Sequence, residues 1–366
     1  MNILFVSRLN DSQWLGPSQS VPAQVKAQSA IDNVLWFNLN HYRLDQWIDP
    51  SYQFLNTEDN PTKELGKLPY PFNEPDIVVF EGCYEYPFEP LVKDIWKMKI
   101  PYVVVPRSQL TEGAQKAKQF KKIVGNVIFF NKFIKKAKAI HYLTKKELED
   151  SKRFKKQGYI IPNGVNFVPT VRTLTERTGI RGTYIGRIRL YQKGLDLLID
   201  AVDKERDTLT ANNFTLDLYG PDLNGAVAEL ENRIKQKHLT EIIHIHDSVF
   251  GEEKKKILEE TDVFIMTSRF EGHPMGLIEA LSFGIPSLVT EGTNMSVEIE
   301  EANAGWNAGN SVEEIAKTLG EMCADKDLFH DMGDNAIKLA QRYDWKTIAQ
   351  KTHEQFLVLR KRNDNG

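Results

Sequence analysis

Short apolar runs rich in β-branched residues alternate with polar, helix-forming stretches along almost the whole chain, and the alternation starts again near residue 180. The first set is NILFVS, NVLWFN, DIVVFEG, YVVVP and AIHYLT; the second is GTYIG, FTLDLYG, IIHIH, DVFIMTS and IPSLVT. Runs that are apolar at successive positions read as parallel strands buried on both faces. Stretches such as KGLDLLIDAVDKER and DLNGAVAELENRIKQKH lie between the strands of the second set and read as helices. Strand–helix repetition of this kind builds an open parallel sheet covered by helices on both faces. Two sets of about five units predict an α/β chain of two Rossmann-like domains, residues 1–165 and 166–345. An amphipathic helix over 346–366 is expected to pack back toward the first domain. The segment 161–179, IPNGVNFVPTVRTLTERTG, breaks both patterns with Pro, Asn-Gly and Thr and reads as the hinge. Ligands of such sheets sit beyond the carboxyl ends of the strands. Two sheets facing each other would therefore wall a deep interdomain cleft with their βα loops.

With 366 residues, 41% of them hydrophobic and 27% charged, the chain has material for two cores of ordinary soluble character. Its two cysteines, Cys83 and Cys323, read as reduced thiols and suit a cytoplasmic protein. MNILFVSRLN reads as a first strand and not as a leader, and no apolar run approaches the ~20 residues that span a bilayer. Between Lys116 and Lys156 stand fourteen Lys/Arg against three acids, in a chain whose net charge is −3. Such a local excess points to an anionic partner, and QKAKQFKKIVGNVIFFNKFIKKAKA sets it around an apolar centre. The functional reading is reversible attachment to an anionic membrane surface; the plain one is a helix pair packed into the domain core with solvated lysines.

The stretch EGHPMGLIEALSFGIPSLV holds two carboxylates, Glu271 and Glu279, between two strand-like runs. Pro274 suits the first turn of a helix over Met275 to Phe283, and Gly284 suits its stop. Backbone amides of Met275, Gly276 and Leu277 at that helix start would attract an anion, with Gly276 permitting close approach. After GTYIG, Arg187 and Lys193 flank the next helix start, a second arrangement suited to a pyrophosphate.

The residues YIGRIRLYQKGLDLLIDAV, IIPNGVNF, DVFIMTSRFEGHPMGLIEALSFGIPSLVT and EGTNMSVEI together resemble the nucleotide-sugar-binding half of the retaining glycosyltransferases of family 4, which have the GT-B fold. The resemblance runs from about Tyr159 to Trp306 and rests on Glu271-x7-Glu279 with Gly284-Ile285-Pro286 behind it, together with Arg187 and Lys193. It implies that Glu279 accepts the two ribose hydroxyls, as an acceptor-only carboxylate can. Glu271 would face the donor sugar, and Arg187 and Lys193 would hold the diphosphate and neutralise charge growing on it. Asn294, with Met295, would touch sugar or phosphate, and the base would meet backbone groups around DSVFG, at Val249. It further implies retention of configuration with no metal and no cofactor. The one Asp-x-Asp, Asp325 to Asp327, reads as a turn, and His244 and His246 read as strand residues.

Two places depart from the family. Where many members have Gly-Gly after the first strand, LNDSQWLGPSQSVPAQ offers Gly16 alone, with Ser18 or Ser20 to cap the next helix. Where members often have His after the strand equivalent to YVVVP, this chain has Arg107, which would act as an electrostatic clamp and not as a base. The expected function is transfer of a hexose-type sugar from a nucleotide donor, a UDP-sugar favoured, to a glycan or lipid-linked acceptor, with no nucleic acid involved. The alternatives are a non-catalytic nucleotide-sugar-binding subunit of the same fold, and a GT-B nucleotide-sugar epimerase or phosphorylase.

Overall fold

The computed structural model describes residues 1–12, 16–112, 130–167, 178–222 and 225–361. The chain divides into two compact units, Met1–Gly164 with Trp345–Gly366, and Val165–Asp344.

The first unit is built on a seven-stranded parallel sheet in the order β3-β2-β1-β4-β5-β6-β7. Its strands are β1 (Asn2–Ser7), β2 (Asn33–Asn38), β3 (Gln53–Leu55), β4 (Ile77–Glu81), β5 (Tyr102–Val105), β6 (Ala139–Tyr142) and β7 (Gly158–Ile160). Successive side chains of a strand point to opposite faces, so each strand feeds two cores. Leu4, Val6, Val78, Phe80 and Val104 pack with Leu91, Val92 and Ile95 of the Pro90–Met98 helix. Ile3, Phe5, Val79, Val103 and Val105 pack with Val21 and Val25 of the Gly16–Ser29 helix and with Phe356 and Leu359 of the Trp345–Lys361 helix. Full burial of one such aliphatic side chain is worth about 1.5–3 kcal/mol, which is why near-continuous apolar runs become central strands. The C-terminal helix is fixed to this unit by His353, whose Nδ1 lies 2.8 Å from the Asp32 carboxylate, and by Arg360 at 3.0 Å from Asp76.

The second unit carries a six-stranded parallel sheet in the order β10-β9-β8-β11-β12-β13. These are β8 (Ile180–Ile185), β9 (Phe214–Tyr219), β10 (Ile243–His246), β11 (Val263–Met266), β12 (Ser287–Val289) and β13 (Gly305–Asn307). The order reverses between β8 and β11, so the loops leaving these two adjacent strands flank the point where open sheets bind ligands. In the first unit the corresponding point lies between β1 and β4.

The sheets have seven and six strands rather than five each, because β3, β7 and β13 went unseen in the sequence. Each is a three-residue strand at a sheet edge, too short to show a period and paired on one side only. The expected hinge falls largely on residues 168–177, outside the described residues.

Candidate functional site

Past β8 the chain passes Gly186 and Arg187, makes a short helix, Leu190–Lys193, and turns through Gly194 into the Leu195–Lys204 helix. Gly194 has a left-handed φ of +61°, and a Cβ there would stand 1.9 Å from the carbonyl oxygen of Thr267, just past β11. Only glycine permits this approach. The Thr267 hydroxyl closes it, donating to the Gly194 carbonyl at 3.0 Å.

That contact brings Lys193 Nζ to 2.5 Å from Glu271 Oε1, with the two side chains 8% and 10% exposed. The Ser268 hydroxyl donates to the same oxygen at 2.8 Å. Lys193, expected as a free cation for a diphosphate, is thus already half of a buried ion pair. The half-buried Arg187 guanidinium makes no ion pair or hydrogen bond among the described residues and remains the uncompensated charge. Both charges act on one buried group. Burial pushes the Tyr184 phenol well above its ordinary range, Glu271 pushes it further, and Arg187 opposes. Its hydroxyl donates to the Arg187 carbonyl at 2.9 Å. Arg187, Lys193 and Glu271 therefore converge on the end of β8.

The helix Met275–Ser282 starts at Pro274 and ends before Gly284, whose φ of +70° suits the stop. Leu277 N–H is engaged with the Pro274 carbonyl at 3.2 Å, which removes it from the expected anion cradle. The amides of Met275 and Gly276 have no partner among the described residues. A Cβ at Gly276 would lie 3.0 Å from the Ile185 carbonyl, so this first turn abuts the end of β8. Asn294, left-handed at φ +62°, donates through Nδ2 to the carbonyls of Glu271 at 2.5 Å and Gly272 at 3.2 Å. It is a clamp on the Glu271 loop, and its buried Oδ1 is left without a partner among the described residues. Met295 is buried.

Glu279, one turn along its helix, is paired through Oε2 with the ammonium of Lys254. Lys254 belongs to the Gly251–Glu260 helix, which opens just after the buried Val249. The sequence offered no signal for it, since GEEKKKILEE reads as a solvated charged face. His246 Nε2 lies 2.7 Å from Asp217 and its ring stacks on Tyr219, while Asp325 accepts from the Trp306 indole at 2.9 Å.

In the first unit, Gly16 opens the Gly16–Ser29 helix with open space at its Cβ position. Ser18 and Ser20 are not its caps. They lie inside the first turns, and the Ser20 hydroxyl donates back to the Gly16 carbonyl at 2.9 Å. Arg107 is not a freestanding clamp either. Its Nε lies 2.8 Å from Glu81 Oε2, with the side chains 9% and 0% exposed, and it also donates to Ser20 Oγ at 2.9 Å. Burial pushes the Glu81 carboxyl up, and Arg107 opposes this. Arg107 and Ser108 are both left-handed, with φ of +48° and +67°. The buried Glu147 holds this costly turn by accepting from Ser108 N–H at 2.5 Å and Leu143 N–H at 2.7 Å. Residues 113–129 of the basic stretch lie outside the described residues. Beyond them Phe133 is core, not surface, and Lys132 and Lys136 stand over the Trp96 ring at 5.1 and 4.4 Å. No helix among the described residues is long and apolar enough to cross a membrane.

The fold defines a class, the two-domain GT-B architecture. The model of the glycosyl transferases group 1 family matches residues 177–339. An uncharacterised glycosyltransferase of Methanocaldococcus jannaschii is 27% identical over 172 residues, covering 46% of this chain and 42% of that protein. The colanic acid biosynthesis glycosyltransferase WcaL of Salmonella typhimurium, a putative assignment in its own name, is 26% identical over 171 residues, 45% of this chain and 39% of that one. The chain thus spans less than half the length of these curated relatives. Among solved structures, HepE of Anabaena in complex with UDP and glucose superposes with a TM-score of 0.71 at 17% identity, over 98% of this chain and 100% of that one. Sucrose-phosphate synthase of Thermosynechococcus elongatus superposes with a TM-score of 0.74 at 15% identity, over 98% of each chain. At these identities the likeness is one of fold.

Proposed function

We propose that the chain is a retaining, metal-independent glycosyltransferase. It moves a hexose-type sugar from a nucleoside-diphosphate donor, a UDP-sugar in preference, to a glycan or lipid-linked acceptor in polysaccharide or glycoconjugate synthesis. The observation that carries this reading is the convergence of Arg187, Lys193 and Glu271 beside the first turn of the Met275–Ser282 helix. HepE in complex with UDP-glucose and the colanic acid relative support the choice of donor and of pathway class.

In this reading the free amides of Met275 and Gly276 meet the diphosphate. The base lies by Val249 and the ribose by Glu279. The bond between the anomeric carbon and the β-phosphate oxygen breaks, and its electron pair stays on that oxygen. Arg187 neutralises the growing charge with the two N–H groups that Lys193 does not give to Glu271. The acceptor hydroxyl forms the new bond on the same face and its proton passes to the departing phosphate oxygen. Glu271, held by Lys193, Ser268 and Asn294, orients the donor sugar, and Arg107 is a fixed cation on the acceptor side. The basic stretch 116–156 brings the protein to the inner, anionic face of a membrane.

The test is a thermal-shift panel of UDP-, GDP- and ADP-sugars, followed by assay of nucleoside-diphosphate release with and without EDTA. A donor at 100 times its Kd should stabilise the protein by roughly 2.7 kcal/mol. No stabilisation by any donor overturns the reading. Activity abolished by EDTA and restored by Mg²⁺ or Mn²⁺ overturns its metal-free part.

A further inference from the structure

We infer that Lys254 reads the donor's ribose together with Glu279 and makes the site select ribonucleotides over deoxyribonucleotides. The inference rests on the proposed placing of the ribose at Glu279.

Lys254 is the first of three lysines in the run GEEKKKILEE and is set apart by where it reaches. Its neighbour Lys255 stays on its own helix, within 4.0 Å of Glu252 and 3.9 Å of Glu259. Lys254 instead leaves its helix and meets a carboxylate on another one, Glu279, 25 residues further on. Its side chain is 14% exposed and that of Glu279 is 31% exposed, so the pair is more enclosed than a solvated surface bridge. One turn separates Lys254 from the start of the Gly251–Glu260 helix, and Val249 lies two residues before that start. The pair therefore joins the segment proposed to meet the base to the helix proposed to meet the ribose.

The chemistry of the two heads is complementary in the way a sugar hydroxyl requires. A carboxylate only accepts and an ammonium only donates, whereas a hydroxyl does both. Lys254 has three N–H donors, of which one faces Glu279 Oε2, and it has no second partner among the described residues. Oε1 of Glu279 likewise accepts from no group among the described residues. A ribose hydroxyl between the heads donates to the carboxylate and accepts from the ammonium, two charge-assisted bonds at one atom. A deoxyribose at that position leaves the pair to each other but gives no partner to the spare donors of Lys254 or to Oε1 of Glu279, and sites built around a hydroxyl reject analogues lacking it far more strongly than apolar pockets reject a missing methylene. A lysine serving only to hold the two helices together would affect folding but not this ratio.

The test is calorimetric binding of UDP, 2′-deoxy-UDP and 3′-deoxy-UDP to the full chain, with GDP or ADP and their deoxy forms in their place if the panel selects another base. Wild type should prefer the ribonucleotide over at least one deoxy form by about tenfold or more. Lys254→Met should weaken the ribonucleotide about tenfold and leave that deoxy form nearly unchanged, so that the preference collapses. Lys254→Arg, which keeps the charge and donors, should restore part of it. An undiminished ribo-over-deoxy ratio in a folded Lys254→Met overturns the inference while the donor reading stands. If wild type binds none of the three nucleotides, the donor reading fails and the inference fails with it.

Discussion

The ammonium of Lys193 stands 2.5 Å from Oε1 of Glu271, joining residues 78 positions apart. Because both side chains are about nine-tenths buried, neither charge has water to fall back on. The pair is neutral as a unit, and the net positive charge beside the end of β8 belongs to Arg187. Two residues that look equivalent in the sequence thus have different work, and they should fail differently when removed.

Lys193→Ala leaves a buried carboxylate unpaired, which typically costs 3–5 kcal/mol. It should lower the melting temperature by several degrees as well as abolish transfer. Arg187→Ala removes a partly solvated cation with no side-chain partner among the described residues. It should keep the wild-type melting temperature while transfer falls on the order of 10²-fold. Thermal melts alongside initial rates separate the two, and equal destabilisation by both would show that the charge assignment is wrong.

The two motif glutamates should also part company. Contacts to the ribose are much the same in the ground and transition states, whereas contacts at the reacting sugar need not be. Glu279→Ala should raise the donor Kd with little effect on kcat. Glu271→Ala should lower kcat more than it raises KM. Donor affinity unchanged in Glu279→Ala would remove the ribose assignment.

His273, in the loop between Glu271 and the Met275–Ser282 helix, should make the second unit acid-sensitive. Burial pushes its imidazole down from the ordinary 6.5 to about 3, and its ring packs 5.3 Å from that of Tyr343. Between pH 6.5 and that value the unfolded chain binds a proton that the native state refuses, so stability falls as pH falls. One such group contributes about 1.4 kcal/mol per pH unit in that window. His273→Phe keeps an aromatic ring of similar size and should remove that increment. Urea unfolding of both proteins at pH 7, 6 and 5 gives the two slopes, and identical slopes would refute the assignment.

For the basic stretch, co-sedimentation with liposomes should show binding to anionic vesicles at low salt that fades as screening increases. Each lysine near such a surface is worth ~1 kcal/mol, so four or five suffice for reversible attachment. Lys132 and Lys136 are partly drawn to Trp96, which leaves the other basic residues of the stretch to carry most of the effect. Binding to neutral vesicles as strong as to anionic ones would dismiss the membrane role and leave the transferase reading untouched.

Much of this protein follows from its sequence alone, because the signals are local. The apolar runs that became β1, β2, β4, β5 and β6, and β8 to β12, announce themselves by burial on both faces within a few residues. Pro274 and Gly284 bound their helix through their own backbone limits, whatever surrounds them. Glu271, Glu279, Arg187 and Lys193 were drawn together as a set by the resemblance to a family, which their order along the chain carries. Which of them pair could not be read there. Glu271 has Lys193 because Gly194 fits against Thr267, Glu279 has Lys254 from an unremarked charged helix, and Arg107 has Glu81 from the neighbouring strand. Short edge strands and ion-pair partners depend on the order in which strands come together, and a charge finds its partner through space, where sequence separation carries no information.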